Sequence, residues 1–154
     1  FPLPQALLSK TPSILGLDGS QKMSKSRGNA IFLCSTEDET ASLIKKAKTD
    51  SERVITYDPE NRPEVANLLM LISLCTKEEP AAIAERIGEK GSGELKKVLA
   101  EALNEELRPL RQKRAELEKN PDYIRKVLLD GVEKARAIAI KTLDEVREAM
   151  NMKI

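Results

Sequence analysis

Two lysines and two serines fall within five positions, Lys22-Met23-Ser24-Lys25-Ser26, and no other stretch of the chain is so suited to chemistry. Gly19 and Gly28 flank it and free the backbone on either side. Such a loop is suited to closing over a polyphosphate. The ammonium groups neutralise charge as it shifts, and serine hydroxyls and backbone N–H groups add hydrogen bonds. The pattern is not a P-loop, which needs Gly-x-x-x-x-Gly-Lys-Ser/Thr at the start of a helix. The plain alternative is a solvated basic loop with no partner. Against it stands the string itself, since one prescribed pentapeptide arises by chance in a chain of this size on the order of once in ten thousand.

A second candidate is Arg108, Arg111 and Arg114, with Lys113 and Lys119 close by. This is either a face that tracks phosphates or a solvated face neutralised by Glu116 and Glu118. Tyr57 and Tyr123 read as packing residues, and Asp50 and Asp58 as turn and cap residues. The chain has no histidine, and Cys34 and Cys75 stand apart without a CxxC pair. A zinc or iron–sulfur site is therefore not expected, and the cysteines read as buried free thiols in a reducing cytosol.

The elements that must position these residues are mostly helices. Residues 1–30 are irregular, broken by Pro2, Pro4, Pro12, Gly16, Gly19 and Gly28. Ala30-Ile31-Phe32-Leu33-Cys34 reads as one short buried strand. Thr36-Glu37-Asp38-Glu39 is a capping box that opens a helix reaching about Lys48. Residues 49–61 form a loop with a few extended residues at Val54-Ile55-Thr56. Pro63 starts a helix to about Cys75 that is apolar nearly all round and so is buried on all sides. Pro80–Ile87 is a shorter helix ended by Gly88, and Gly88, Gly91 and Gly93 read as a hinge.

Two long helices follow. Leu95, Leu99, Leu103, Leu107, Leu110 and Leu117 stripe the first, and Pro109 is expected to interrupt it. Asn120-Pro121-Asp122 starts the second, whose seam runs Leu128, Val132, Ala135, Ala139, Leu143, Val146 and Met150. The two should pack as an antiparallel hairpin with this seam as core, or part of the seam docks on another domain and leaves an apolar patch here.

The balance of 26 basic against 25 acidic residues exerts no whole-molecule pull on nucleic acid or membrane. Residues 1–30 nevertheless carry Lys10, Lys22, Lys25 and Arg27 against Asp18 alone. No apolar run approaches the ~18 residues of a membrane helix. No Met precedes Phe1-Pro2-Leu3-Pro4, and the chain reads as a piece of something longer.

Lys22–Ser26 resembles the KMSKS signature of class I aminoacyl-tRNA synthetases, with Gly16-Leu17-Asp18-Gly19 as its usual lead-in. Downstream, Ala47-Lys48-Thr49-Asp50-Ser51, Tyr57-Asp58, Arg62-Pro63 and Ala66-Asn67-Leu68-Leu69 are similar to the bacterial tryptophan-specific branch. Gly88, Gly91, Gly93, Leu95-Lys96 and Leu107-Arg108-Pro109 continue that likeness over nearly the whole chain. Ser20-Gln21 departs from the shorter, more basic link of the family, and its His-x-Gly-His element is absent.

The resemblance implies a mainly α fold: residues 1–50 as the C-terminal edge of a Rossmann-type catalytic domain carrying the loop, and 51–154 as a helical anticodon-binding domain. It implies that Lys22 and Lys25 hold the departing pyrophosphate, that Ser24 and Ser26 assist by hydrogen bonding, and that Met23 sits near the adenine of ATP. Arg108, Arg111, Lys113 and Arg114 become candidate tRNA contacts. ATP with Mg2+ is then the substrate, with no tightly bound cofactor or protein metal site. The partners are tRNA(Trp), tryptophan bound in an N-terminal half, and a second copy in a cytoplasmic homodimer; no membrane is involved. Such a piece alone is expected to be inactive. The alternatives are a non-catalytic helical RNA-binding or scaffold module and, less distant, a tyrosine enzyme.

Overall fold

The computed structural model describes residues 2–9, 11 and 13–152; Lys10 and Pro12 lie outside the described residues. Among the described residues five α-helices follow an irregular first quarter: α1 (Glu37–Lys45), α2 (Pro63–Thr76), α3 (Pro80–Ile87), α4 (Gly91–Glu118) and α5 (Pro121–Ala149). Two compact units divide the chain, Phe1–Arg111 and Gln112–Ile154. No helix among the described residues is long and apolar enough to cross a membrane.

Local chemistry sets the helix starts. Thr36 Oγ1 accepts from Glu39 N at 3.2 Å and Glu39 Oε2 accepts from Thr36 N at 2.8 Å, which completes the capping box. Pro63, Pro80 and Pro121 each open a helix at a position where no N–H partner is needed. Asn120 Oδ1 caps α5 by accepting from Tyr123 N. At the far end, α1 closes at Lys45, three residues before the expected stop, because Lys46 and Ala47 turn back to Leu43 O and Ile44 O.

The core of the first unit gathers around α2. Val65, Leu69 and Ile72 are wholly buried there, with Ile44 of α1, Ile83 of α3, and Leu95 and Leu99 of α4. Leu17, from the segment before the signature loop, joins the same cluster, so the loop is anchored directly in the helical core.

Arg62 knots the loop between α1 and α2. Its Nε and Nη2 donate to the two Asp50 carboxylate oxygens at 2.7 Å each, and Nη1 reaches Val54 O and Thr56 Oγ1. Asp50 is the turn residue expected, accepting from Glu52 N at 3.0 Å, and is in addition a partner in this ion pair. Asp58 is likewise the turn residue expected, accepting from Glu60 N and Asn61 N.

Several expectations fail for physical reasons. Residues 30–34 form no strand: a strand needs a ladder partner, none exists among the described residues, and Ser35 N turns back to Phe32 O. Cys34 is exposed on that turn, not buried, and Cys75 is half-buried with its thiol pushed up mainly by desolvation. The glycine hinge is a 3-10 turn at Gly88–Lys90 that runs straight into α4 at Gly91.

Pro109 does not interrupt α4, which continues through it to Glu118. A proline inside a helix removes one hydrogen bond and crowds the preceding turn. Pro109 is exposed, so Pro109→Ala is expected to raise stability by up to about 3 kcal/mol, read as a higher urea midpoint at unchanged slope. A lower midpoint would show that the proline relieves a strain elsewhere in α4.

In the second unit α5 buries none of its residues. Its seam residues Leu128, Val132 and Leu143 are 64%, 50% and 46% exposed, where the sequence led us to expect a buried seam. Residues 112–118, the part of α4 in the same unit, carry only Ala115 and Leu117 as apolar side chains.

Candidate nucleotide-binding loop

The signature loop begins on an antiparallel bridge between Leu15 and Lys22. Met23 N donates to Ile14 O at 2.9 Å, and Gly16 N donates to Gln21 O at 2.8 Å. Residues 14–23 thus form a narrow backbone stem. Lys25–Arg27 follows as one 3-10 turn, which Gly28 ends in the left-handed region at φ 67°.

Long-range amides hold this stem to the core. Asn67, buried on α2, donates through Nδ2 to Leu15 O and Gly16 O at 3.1 and 3.2 Å. Leu17 N donates to Asn29 O, and Lys48 N donates to Leu17 O. Asp18 Oδ1 accepts from Ser20 N and Gln21 N, closing the tight turn at Gly19. The hydrogen bond from the Asn29 side chain, together with these backbone N–H groups, holds the Asp18 carboxyl below the usual carboxylate range.

Gly19 sits at φ 69° against α2, and a Cβ there would collide with the Glu64 side chain and approach its Cα at 2.9 Å. The Glu64 Cα belongs to the α2 backbone and cannot swing aside, while its side chain pairs with Lys48 Nζ at 2.9 Å. Gly19→Ala is expected to cost about 1–3 kcal/mol and to lower the unfolding midpoint accordingly. An unchanged midpoint would mean that the stem does not pack on α2 as described.

The reactive groups of the loop present themselves outward. Lys22 and Lys25 are exposed, and neither has an ion pair among the described residues. Ser24 Oγ and Ser26 Oγ lie 3.0 Å apart. Met23 and Ser24 are half-buried. The four expected polar side chains of the signature therefore share one short loop whose cations are unspent. Among the described residues no group of three or more His, Cys, Asp or Glu gathers to hold a metal.

The second set of candidates is differently placed. Arg111 is engaged within the first unit: Nε donates to Ser35 O at 2.8 Å, Nη1 to Asn104 Oδ1 at 2.9 Å and Nη2 to Thr40 Oγ1 at 2.8 Å. Together with Asn104 Nδ2, which donates to Glu37 O, it stitches α4 to the start of α1. Arg108 pairs with Glu105 at 2.6 Å and faces Glu37 at 3.8 Å. It lines a groove of about 660 Å3 between α1 and α4, with Lys45, Lys96 and Lys97 on the same rim. In the second unit Lys113 pairs with Glu116 and Arg114 with Glu118.

Reading the sequence left out Asn29 and Asn67 as working residues. The Asp18-Gly19 turn signal was there to be read, but an isolated asparagine carries no local pattern that names a distant partner.

A family model for the class I tRNA synthetases (W and Y) matches residues 1–108. The chain belongs to that family. Over 156 residues it is 43% identical to the tryptophan–tRNA ligase of Aquifex aeolicus, covering 99% of this chain and 39% of the relative. The tryptophan–tRNA ligase of Treponema pallidum is 41% identical, over 99% of this chain and 46% of its own length. The tryptophanyl-tRNA synthetase of Mycoplasma pneumoniae superposes with a TM-score of 0.76 at 25% identity, over 93% of this chain and 46% of that one. A tryptophanyl-tRNA synthetase from Campylobacter jejuni complexed with ADP and tryptophan gives a TM-score of 0.72 at 29% identity, over 97% and 47%. The chain thus spans less than half the length of these class I synthetases.

Proposed function

We propose that this chain is the C-terminal portion of a tryptophan–tRNA ligase, which activates tryptophan with ATP to the adenylate and transfers it to tRNA(Trp). The observation that carries the reading is the pinned loop with two ammonium groups, Lys22 and Lys25, that have no ion pair among the described residues, on a chain that belongs to the class I synthetases. The tryptophan specificity rests on the likeness to enzymes of that name.

Activation joins the amino-acid carboxylate to the α-phosphate and expels pyrophosphate. Negative charge builds on the leaving group, and exposed lysines on a short loop meet it as it forms. Lys22 and Lys25 hold the pyrophosphate, Ser24 and Ser26 donate hydroxyl hydrogen bonds, and Met23 lies toward the adenine. Mg2+ arrives with the nucleotide and is held by its phosphates, as is usual for an ion that dehydrates reluctantly. Residues 1–50 complete the catalytic domain and 51–154 serve the anticodon.

For tRNA, the exposed pairs of Arg108, Lys113 and Arg114 are weak enough to exchange a carboxylate for a phosphate. Arg111 has three neutral acceptors inside the fold and is the poorest phosphate ligand of the four. The complete enzyme is taken as a cytoplasmic homodimer.

The test is tryptophan-dependent ATP–pyrophosphate exchange by the full-length gene product, with this chain alone beside it. Exchange by the full protein but not by this chain supports a split active site. Exchange with tyrosine instead corrects the amino acid. Silence with both moves the loop out of phosphate chemistry and favours a helical RNA-binding module.

A further inference from the structure

We propose that Asn29 is the positioning residue of the signature loop, and that it acts as half of an amide–carboxylate pair with Asp18. The side chain is buried, with 6% of the residue exposed, and both of its polar atoms are directed at the loop and its stem. Oδ1 accepts from Ser24 N at 2.9 Å. Nδ2 donates to Asp18 Oδ2 at 2.8 Å and faces Lys22 O at 3.4 Å. One side chain thus grips the residues on both sides of Met23, at the base of the two lysines. Gly16 makes room for it, because a Cβ at that position would occupy the space of the Asn29 amide.

The pair also has a direction. An ionised carboxylate only accepts hydrogen bonds, so Asp18 obliges Asn29 to turn its NH2 toward it. The amide oxygen is then left to face Ser24 N–H. Asp18 is in turn held by Ser20 N and Gln21 N, on the other arm of the stem. The orientation of the Ser24 peptide, and with it the exit directions of Lys22 and Lys25, is therefore set by a carboxylate outside the signature itself. The inference rests on the proposed role of these lysines in pyrophosphate release.

Exchange of the amide for an acid gives a distinctive signature. Asn29→Asp places two carboxylates at hydrogen-bond distance, so one of them retains a proton above the usual carboxylate range. Arg27 and Lys48 act on Asp18 and limit that rise; Glu64, paired with Lys48 beside Gly19, works the other way. The protonated acid supplies the O–H that replaces the amide N–H, and the arrangement is lost as pH rises through that pKa. The double exchange Asp18→Asn with Asn29→Asp restores one donor facing one acceptor, and the carboxylate now at position 29 again accepts from Ser24 N.

The experiment uses the full-length protein and two independent readouts, amide hydrogen exchange at Ser24 and ATP–pyrophosphate exchange. Asn29→Ala is expected to unprotect Ser24 N–H and to lower kcat by between about tenfold and a hundredfold, with KM for tryptophan unchanged. Asn29→Asp is expected to lose activity as pH rises over a range where the wild type is level, and the exchanged pair to recover most of it. A merely structural asparagine would give neither the pH profile nor the recovery. Protection of Ser24 retained in Asn29→Ala, or an exchanged pair no better than Asn29→Asp, overturns the proposal. If the wild type itself does not exchange pyrophosphate, the functional reading fails, and the Ser24 protection still decides whether Asn29 positions the loop.

Discussion

Lys25→Ala in the full-length protein is expected to lower tryptophan-dependent ATP–pyrophosphate exchange about a hundredfold while leaving tRNA affinity unchanged. Lys25 is exposed, opens the 3-10 turn, and contributes to that turn through its backbone carbonyl, which accepts from Gly28 N. Its ammonium has no ion pair among the described residues, so alanine removes the charge without unfolding the loop. A cation that meets charge only as pyrophosphate departs acts on the transition state, so the loss should appear in kcat more than in KM for ATP. On the proposed division of labour, tRNA is bound by other residues. A parallel loss of tRNA affinity would mean that the loop and the helices do not divide the work as proposed.

Arg62→Ala should be among the more damaging single changes to the fold outside the apolar core. The guanidinium is 12% exposed and the Asp50 carboxylate 26%, so removal leaves a largely covered anion with no cation, and Val54 O and Thr56 Oγ1 lose their donor. A loss of about 2–3 kcal/mol is expected, which lowers the midpoint of thermal unfolding by about 5–10 °C. The same pair predicts a pH dependence. The Arg62 hydrogen bonds hold the Asp50 carboxyl below its ordinary range, ahead of the opposing effect of burial. A depressed carboxyl stabilises the fold above its unfolded pKa of about 3.9, and that contribution is lost as pH falls through the folded value. Wild-type protein should therefore lose stability on acidification below about pH 4, and Arg62→Ala should lose less over that interval. Equal acid sensitivity in both would place the titration elsewhere.

The helices were legible because their signals are local. A capping box at Thr36, prolines at the first helical positions and the all-round apolar run of α2 each lie within a few residues of what they determine. The strand at 30–34 was misread for the complementary reason: an apolar run states that a segment wants burial, not that a ladder partner stands beside it. Pro109 shows a third case, in which the packing of Leu107 and the turns around it carries α4 through a residue that disfavours it.

The sequence by itself determined that the chain is mainly helical, where four of the helices begin, and that Lys22–Ser26 is a signature loop. These follow from backbone propensity, spacing and residue identity, all readable over short windows. Tertiary structure alone decided which groups are spent and which are free. Arg111 reads in the sequence as one more basic candidate for phosphate, and only the fold shows that Ser35 and Thr40, 76 and 71 positions away, engage it. Asn29 and Asn67 carry no role that the sequence states, and the fold shows their amides holding the stem of the loop. A polar side chain takes its role from whichever donor or acceptor the fold brings within about 3 Å, and no local pattern records that partner.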